Sequence, residues 1–190
     1  LENILYIHGA GASKRSFNWL VDNLIDHKPY FFSYELSSDI SESIELLEKQ
    51  IKEIGKPLTI IGHSLGGLLA AGVCDNPLVK QIITISAPLG GILAVGLFGL
   101  MNSQAMFRDL LPYSSILYEI KCKNQKSNKM HYAIVSTHGL PIVKEPNDGV
   151  VMVSSQMAWT TPKYQKYNLN HFEILMDNEV LEDIKKILSD

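Results

Sequence analysis

Asn3 to His8 is a short, continuous apolar run closed by Gly9, with none of the apolar–polar alternation of a strand that faces water. A run of that kind is a strand covered on both faces, which requires helices above and below a mainly parallel sheet. The rest of the chain keeps to that plan. Phe17, Leu20, Val21 and Leu24 recur at helical spacing, and Tyr30 to Leu36 reads as the second strand. Ile40, Ile44, Leu47, Ile51 and Ile54 form one apolar stripe, opened by caps at Asp39 or Ser41 and stopped by Gly55. Leu58 to Gly62 is the third strand, followed by a helix rich in small residues from Ser64 to about Cys74. Gln81 to Ser86 and Met130 to Thr137 are the fourth and fifth strands, and a weaker signal near Gln165 to Leu169 is the last. Val180, Leu181, Ile184, Ile187 and Leu188 place a helix at the end. The predicted class is α/β, a sheet of about six strands flanked by helices. At 190 residues one domain over 1–190 is expected, large enough for its core to stand without a disulfide or a metal.

Charge and composition exclude some partners. Seventeen basic against twenty acidic residues leave a net charge of −3, which offers no cationic face to a phosphate backbone, so no nucleic-acid partner is expected. Cys74 and Cys122 match neither a redox pair nor a zinc site and are read as reduced. No secretory signal precedes the first strand, and the longest apolar run, Ile92 to Met101, is far short of the roughly 20 residues that span a bilayer. A cytoplasmic, non-transmembrane protein is the expectation, for a chain that opens at Leu1 rather than at Met.

Gly62-His63-Ser64-Leu65-Gly66 joins a predicted strand to a predicted helix, the context in which G-x-S-x-G carries meaning. In such a turn the serine takes a strained backbone conformation, and side chains at the flanking positions would collide with the neighbouring strand and helix. The geometry lifts the Ser64 hydroxyl out at the carboxyl end of the sheet, beside the positive end of the following helix. A bland alternative exists: a glycine-rich turn in which the serine hydroxyl caps the helix.

Ile61-Gly62-His63-Ser64-Leu65-Gly66-Gly67, His8-Gly9-Ala10-Gly11 after the first strand, and Ser86-Ala87-Pro88 after the fourth together resemble the α/β-hydrolases, in particular small bacterial lipases and esterases. The resemblance runs from Ile4 to about Glu173. It implies a minimal version of that fold, lacking the first strands of larger relatives. It also implies that the backbone N–H groups of Ala10 and Leu65 receive the oxyanion, with Gly9 and Gly11 leaving the approach open. His8 is read as a structural histidine beneath this loop.

A serine hydroxyl needs a base, and the base needs a group to fix its tautomer. The resemblance implies the chain order serine, acid, histidine. His171, just after the last strand signal, is the candidate base; His131 sits inside a strand, and His138 could line the site without acting as base. Asp148, in the Pro- and Gly-bracketed loop after the fifth strand, is the candidate acid. Its Asn147-Asp148-Gly149 context is also an ordinary turn, but Asp-Gly-Val-Val before Ser154 is similar to the acid loop of such lipases once Met152 and Val153 are passed over. Asp109 is the runner-up, while Asp177 and Asp183 come after His171. No metal and no organic cofactor are implied.

Residues 89–118 break the alternation: 18 of these 30 residues are apolar, four are Gly, and Arg108 and Asp109 carry the only charges. A stretch of that length is functional or folded in its own right. The resemblance implies a lid or cap insert here, with Phe98, Leu100, Met101, Met106 and Phe107 as candidate substrate-binding residues and transient contact with a membrane or lipid surface as a consequence. The alternative is that these residues complete the core. The expected activity is cleavage of a small-molecule or lipid carboxylic ester through an acyl-enzyme on Ser64. A thioesterase or acyltransferase would use the same three residues, and a non-catalytic binding module would keep the scaffold without the chemistry.

Overall fold

Along the first strand, β1 (Glu2–Ile7), neighbouring side chains point to opposite faces, and both faces are buried: Leu5 and Ile7 enter one apolar cluster, Ile4 and Tyr6 another. The computed structural model describes residues 1–92 and 104–189. The other strands are β2 (His27–Phe32), β3 (Leu58–His63), β4 (Val79–Ile85), β5 (Met130–Ser136) and β6 (Lys163–Tyr167). The helices are α1 (Asn18–Asn23), α2 (Ile40–Ile54), α3 (Leu65–Gly72), α4 (Gln104–Asp109), α5 (Ser115–Lys126), α6 (Val153–Gln156) and α7 (Asn178–Ser189). All strand pairs are parallel, in the order β2-β1-β3-β4-β5-β6. Residues of α2, α3, α4 and α5 fill the cluster on one face; residues of α1, the Glu173–Met176 turn and α7 fill the other.

The chain leaves β1 toward β2 on one side and returns to place β3 on the other. At such a switch the connections diverge and leave a crevice beyond the carboxyl ends of the strands. The loop after β1 and the turn after β3 therefore open side by side.

Helix α2 shows how firmly sequence sets local structure. Asp39 accepts a hydrogen bond from the Glu42 N–H at 2.8 Å, and Gly55, at φ 61°, closes the other end with its N–H on the Ile51 carbonyl. Ile40, Ile44, Leu47 and Ile51 are buried, at roughly 1.5–3 kcal/mol each. A second cap comes from far along the chain: the Asp109 carboxylate accepts from the Ile40 N–H at 2.9 Å. The runner-up acid thus serves as a cap on α2.

Two strands are displaced from their expected positions. The second was expected at Tyr30 to Leu36 and begins instead at His27, because it pairs with β1 from Glu2 onward and, as an edge strand, tolerates Pro29 without a lost ladder bond. The last spans Lys163–Tyr167; it lies at the other edge, and its exposed Lys163, Gln165 and Lys166 dilute the apolar signal. The described parts of the 89–118 stretch contribute to the core: Leu89, Ile92, Met106, Leu110, Ile116 and Leu117 are buried there. Phe98, Leu100 and Met101 lie outside the described residues, as does the side chain of Phe107. Both cysteines are free thiols, and among the described residues no helix is long and apolar enough to cross a membrane.

Candidate active site

Ser64 sits between β3 and α3 with φ 53° and ψ −125°, a backbone conformation that costs a non-glycine residue about 1–3 kcal/mol. Its N–H is tied to the Ile85 carbonyl at 2.8 Å, and its own carbonyl receives the Gly67 N–H at 2.9 Å. The turn closes tightly. A Cβ on Gly62 would lie 2.4 Å from the Gly66 carbonyl oxygen, and one on Gly66 would lie 2.1 Å from that of Ile7. Ser64 occupies the N-cap position of α3, yet its side chain makes no capping bond. Local strain and close packing therefore hold in place a hydroxyl that the helix does not use.

Asp148 and His171 meet at the same carboxyl edge of the sheet. The His171 Nδ1–H donates to Asp148 Oδ2 at 2.7 Å, which fixes the tautomer that leaves Nε2 free to take a proton. The His171 main-chain N–H also donates to the Asp148 carbonyl, at 3.0 Å. Among the described residues Ser64 Oγ makes no hydrogen bond. Serine–histidine pairs are commonly looser without substrate and tighten in the complex.

Five donors surround the Asp148 carboxylate. The Val150 and Val151 N–H groups reach Oδ1 at 2.9 and 2.7 Å. Ser136 Oγ–H at 2.5 Å and Gln156 Nε2–H at 3.1 Å join His171 on Oδ2. Since Ser136 donates to the carboxylate, its oxygen accepts from the Ser86 hydroxyl at 2.6 Å. Gln156 completes the clamp, receiving the Ser136 N–H at 3.0 Å and donating back to the Ser136 carbonyl at 3.0 Å. Burial works against the charge on Asp148, but the hydrogen bond and charge of His171, the Ser136 hydroxyl and the Val151 N–H together hold the carboxyl below its ordinary range. The turn chemistry is also present: Asn147 Oδ1 takes the Gly149 N–H at 2.9 Å, so neighbouring side chains share the two tasks the Asn-Asp-Gly stretch could perform.

Sequence reasoning missed Ser136 and Gln156. Ser136 is merely the end of a strand, and the four-residue α6 that carries Gln156 is too short to leave a periodic signal.

The loop after β1 turns beside the elbow, its Ala12 N–H closing onto the Gly9 carbonyl at 3.1 Å. Ala10 is half-buried in that turn. Leu65 opens α3, where a backbone N–H has no intrahelical acceptor. His8 is buried beneath the loop, its ring 5.0 Å from that of Tyr34 and its Nδ1 2.8 Å from the Gly9 carbonyl. His138 is exposed, and His131 is buried against Thr84 Oγ1 at 3.0 Å. Met106 is 2% exposed and packs in the core. Among the described residues no group of three or more His, Cys, Asp or Glu is arranged to hold a metal ion.

Two imidazoles here resist protonation. Burial, aided by His171, lowers His63 to about 3, and burial lowers His131 to about 4. Each also has a buried Nδ1 without a partner. Both lie below the unfolded value near 6.5, so the unfolded chain binds more protons and their stabilisation, full above that value, is lost as pH falls toward 4 and 3. Between roughly pH 5.5 and 4.5 the two should together remove on the order of 2–3 kcal/mol of stability per pH unit, and His131→Leu should roughly halve that slope. Denaturant titrations across this range check it; a flat profile from pH 7 to 4.5 would refute it.

The chain has the α/β-hydrolase fold. It is similar to the mature Bacillus licheniformis lipase BlEst2, with a TM-score of 0.80 at 13% identity over 98% of this chain and 91% of that one. The monoacylglycerol lipase of Paleococcus ferrophilus matches with a TM-score of 0.69 at 13% identity, covering 98% of this chain and 91% of its own. A lipase-esterase related protein of Clostridium acetobutylicum matches with a TM-score of 0.69 at 17% identity, covering 97% and 93%. Residues 3–88 match the model of an uncharacterised protein family, UPF0227. No curated protein matches the chain.

Proposed function

We propose that this protein is a serine hydrolase of carboxylic esters, with Ser64 as nucleophile, His171 as base and Asp148 as the group that orients it. The observation that carries the reading is the pairing of a strained, uncapping serine hydroxyl with a buried Asp148–His171 hydrogen bond at one edge of the sheet. Solved structures of the same fold that are named as lipases and esterases support it.

His171 Nε2 takes the Ser64 proton as Oγ bonds to the ester carbonyl carbon. The carbonyl electrons move to oxygen, and the N–H groups of Ala10 and Leu65 donate to the resulting charge; one such donor is worth about 10²–10³ in rate. The intermediate collapses, the C–O bond to the alcohol breaks, and His171 returns the proton to the departing oxygen. A water deprotonated by His171 then attacks the acyl carbon and releases the acid and the free serine. Asp148 remains ionised throughout and stabilises the imidazolium, in keeping with its five donors.

A fluorophosphonate should label Ser64 under native conditions, and p-nitrophenyl esters should be hydrolysed, with kcat/KM rising from two to eight acyl carbons if the 89–118 stretch receives the chain. Absence of labelling would return the protein to the non-catalytic class. Faster cleavage of a matched thioester than of its oxygen ester would make it a thioesterase with the same three residues.

A further inference from the structure

His63 is buried to 2% exposure at the end of β3, immediately before Ser64. Its Nε2 lies 2.8 Å from the main-chain carbonyl oxygen of His171, a residue 108 positions away. The two rings lie 4.7 Å apart between centroids, inclined at 50°. On the other side, a Cβ added to Gly9 would come within 3.1 Å of His63 Nδ1 and also of Ser64 Cβ. One ring thus touches the loop after β1, the serine turn and the candidate base.

From this we infer that His63 is a positioning residue, whose ring fixes the main chain of His171 relative to the serine turn. The inference rests on the hydrolase reading above. His171 is anchored at three points, and two of them, its N–H and its Nδ1–H, lead to Asp148. Those bonds hold His171 against the acid loop, and neither of them reaches the strand that carries Ser64. The third point, the carbonyl held by His63, is the hydrogen bond that ties His171 to the strand carrying the nucleophile. His63 therefore supplies the registration that the acid cannot.

Its protonation state follows from donor and acceptor rules. A carbonyl oxygen only accepts, so Nε2 carries the hydrogen. Nδ1 is buried without a partner, so a second hydrogen there would have no acceptor. The ring is held neutral, as its burial also demands. Neutrality matters during turnover, because the imidazolium formed on His171 would stand against a second cation if His63 were also charged.

Three substitutions separate this role from simple packing. Gln carries an amide N–H at about the reach of imidazole Nε2, Asn stops at the reach of Nδ1, and Leu has no donor. His63→Leu and His63→Asn should lower kcat for a p-nitrophenyl ester about 30- to 100-fold with KM changed less than about 2-fold, the size of loss that a 1 Å displacement of a reacting group brings. His63→Gln should recover to within about 5-fold of the parent. Nitrogen-15 histidine spectra give a readout independent of activity. At pH 7, His63 should be the Nε2–H tautomer, and the His171 Nδ1–H signal should persist in the parent and in His63→Gln but broaden by exchange in His63→Leu. Thermal melts confirm that each variant folds; if His63→Leu does not, the Gln and Asn pair decides. Equal kcat in Gln and Asn variants, a loss confined to KM, or an Nδ1–H tautomer at His63 would overturn the inference. Failure of the parent to react with fluorophosphonate while His63 shows the stated tautomer and effect on His171 would instead overturn the hydrolase reading and leave the positioning contact in place.

Discussion

Ser64→Ala should reduce turnover of a short p-nitrophenyl ester by at least about 10⁴-fold, abolish fluorophosphonate labelling and shift the Tm by no more than a few degrees. The three outcomes belong together because of how the hydroxyl is placed. It caps no helix and, among the described residues, makes no hydrogen bond, so removing it leaves no polar group without a partner. The backbone at φ 53° is as strained for alanine as for serine, so the folded state gains and loses little. The proposed chemistry, by contrast, loses the atom that would form the covalent bond. Residual activity within tenfold of the parent would show that another group attacks the ester. A large fall in Tm would show that the hydroxyl serves the fold after all.

Gly66→Ala should damage the fold itself, by at least about 4 kcal/mol, seen as a fall in Tm of roughly 10 °C or more or as failure to accumulate soluble protein. The added Cβ would stand 2.1 Å from the Ile7 carbonyl oxygen and 2.5 Å from that of His8. Both obstacles are backbone of β1 and its following loop, and neither can yield without pulling α3 away from β1. Gly72→Ala, at the other end of the same helix, is the matched control. There the Cβ meets side chain rather than backbone, Ile44 Cδ1 at 2.4 Å and Cγ1 at 2.9 Å, and alanine is the better helix former. Its cost should stay within about 1–3 kcal/mol, below that of Gly66→Ala. Similar losses at both positions would mean that helix propensity, rather than the approach of helix to strand, governs this turn.

The distribution of these effects shows what was legible in the chain. The glycine and serine pattern of the elbow, the capped stripe of α2 and the strand–helix alternation are local features. Each is written by side-chain period or by sterics within a few residues, so the sequence carries them openly. Edge strands were read less well, since β2 takes its start from pairing with β1 and β6 exposes its polar side chains. The 89–118 stretch admitted two readings, a flap or part of the core. Met106 and Leu110 join the core cluster that α2, α3 and α5 also fill, whereas Leu111, Tyr113 and Tyr118 of the same stretch are exposed.

For the site, sequence determined which residues have the chemistry: a serine in a strained turn, an aspartate and a histidine in later loops. Their company was decided only in three dimensions. Asp148 gains donors from Ser136 and Gln156, Asp109 is drawn away to cap α2, and His63 reaches the His171 carbonyl. Each of these contacts joins loops or strand ends that a parallel sheet lays side by side. Side-chain periodicity records which face of an element is buried, but it does not record which strand ends become neighbours, and it is that adjacency which turns separate polar residues into one site.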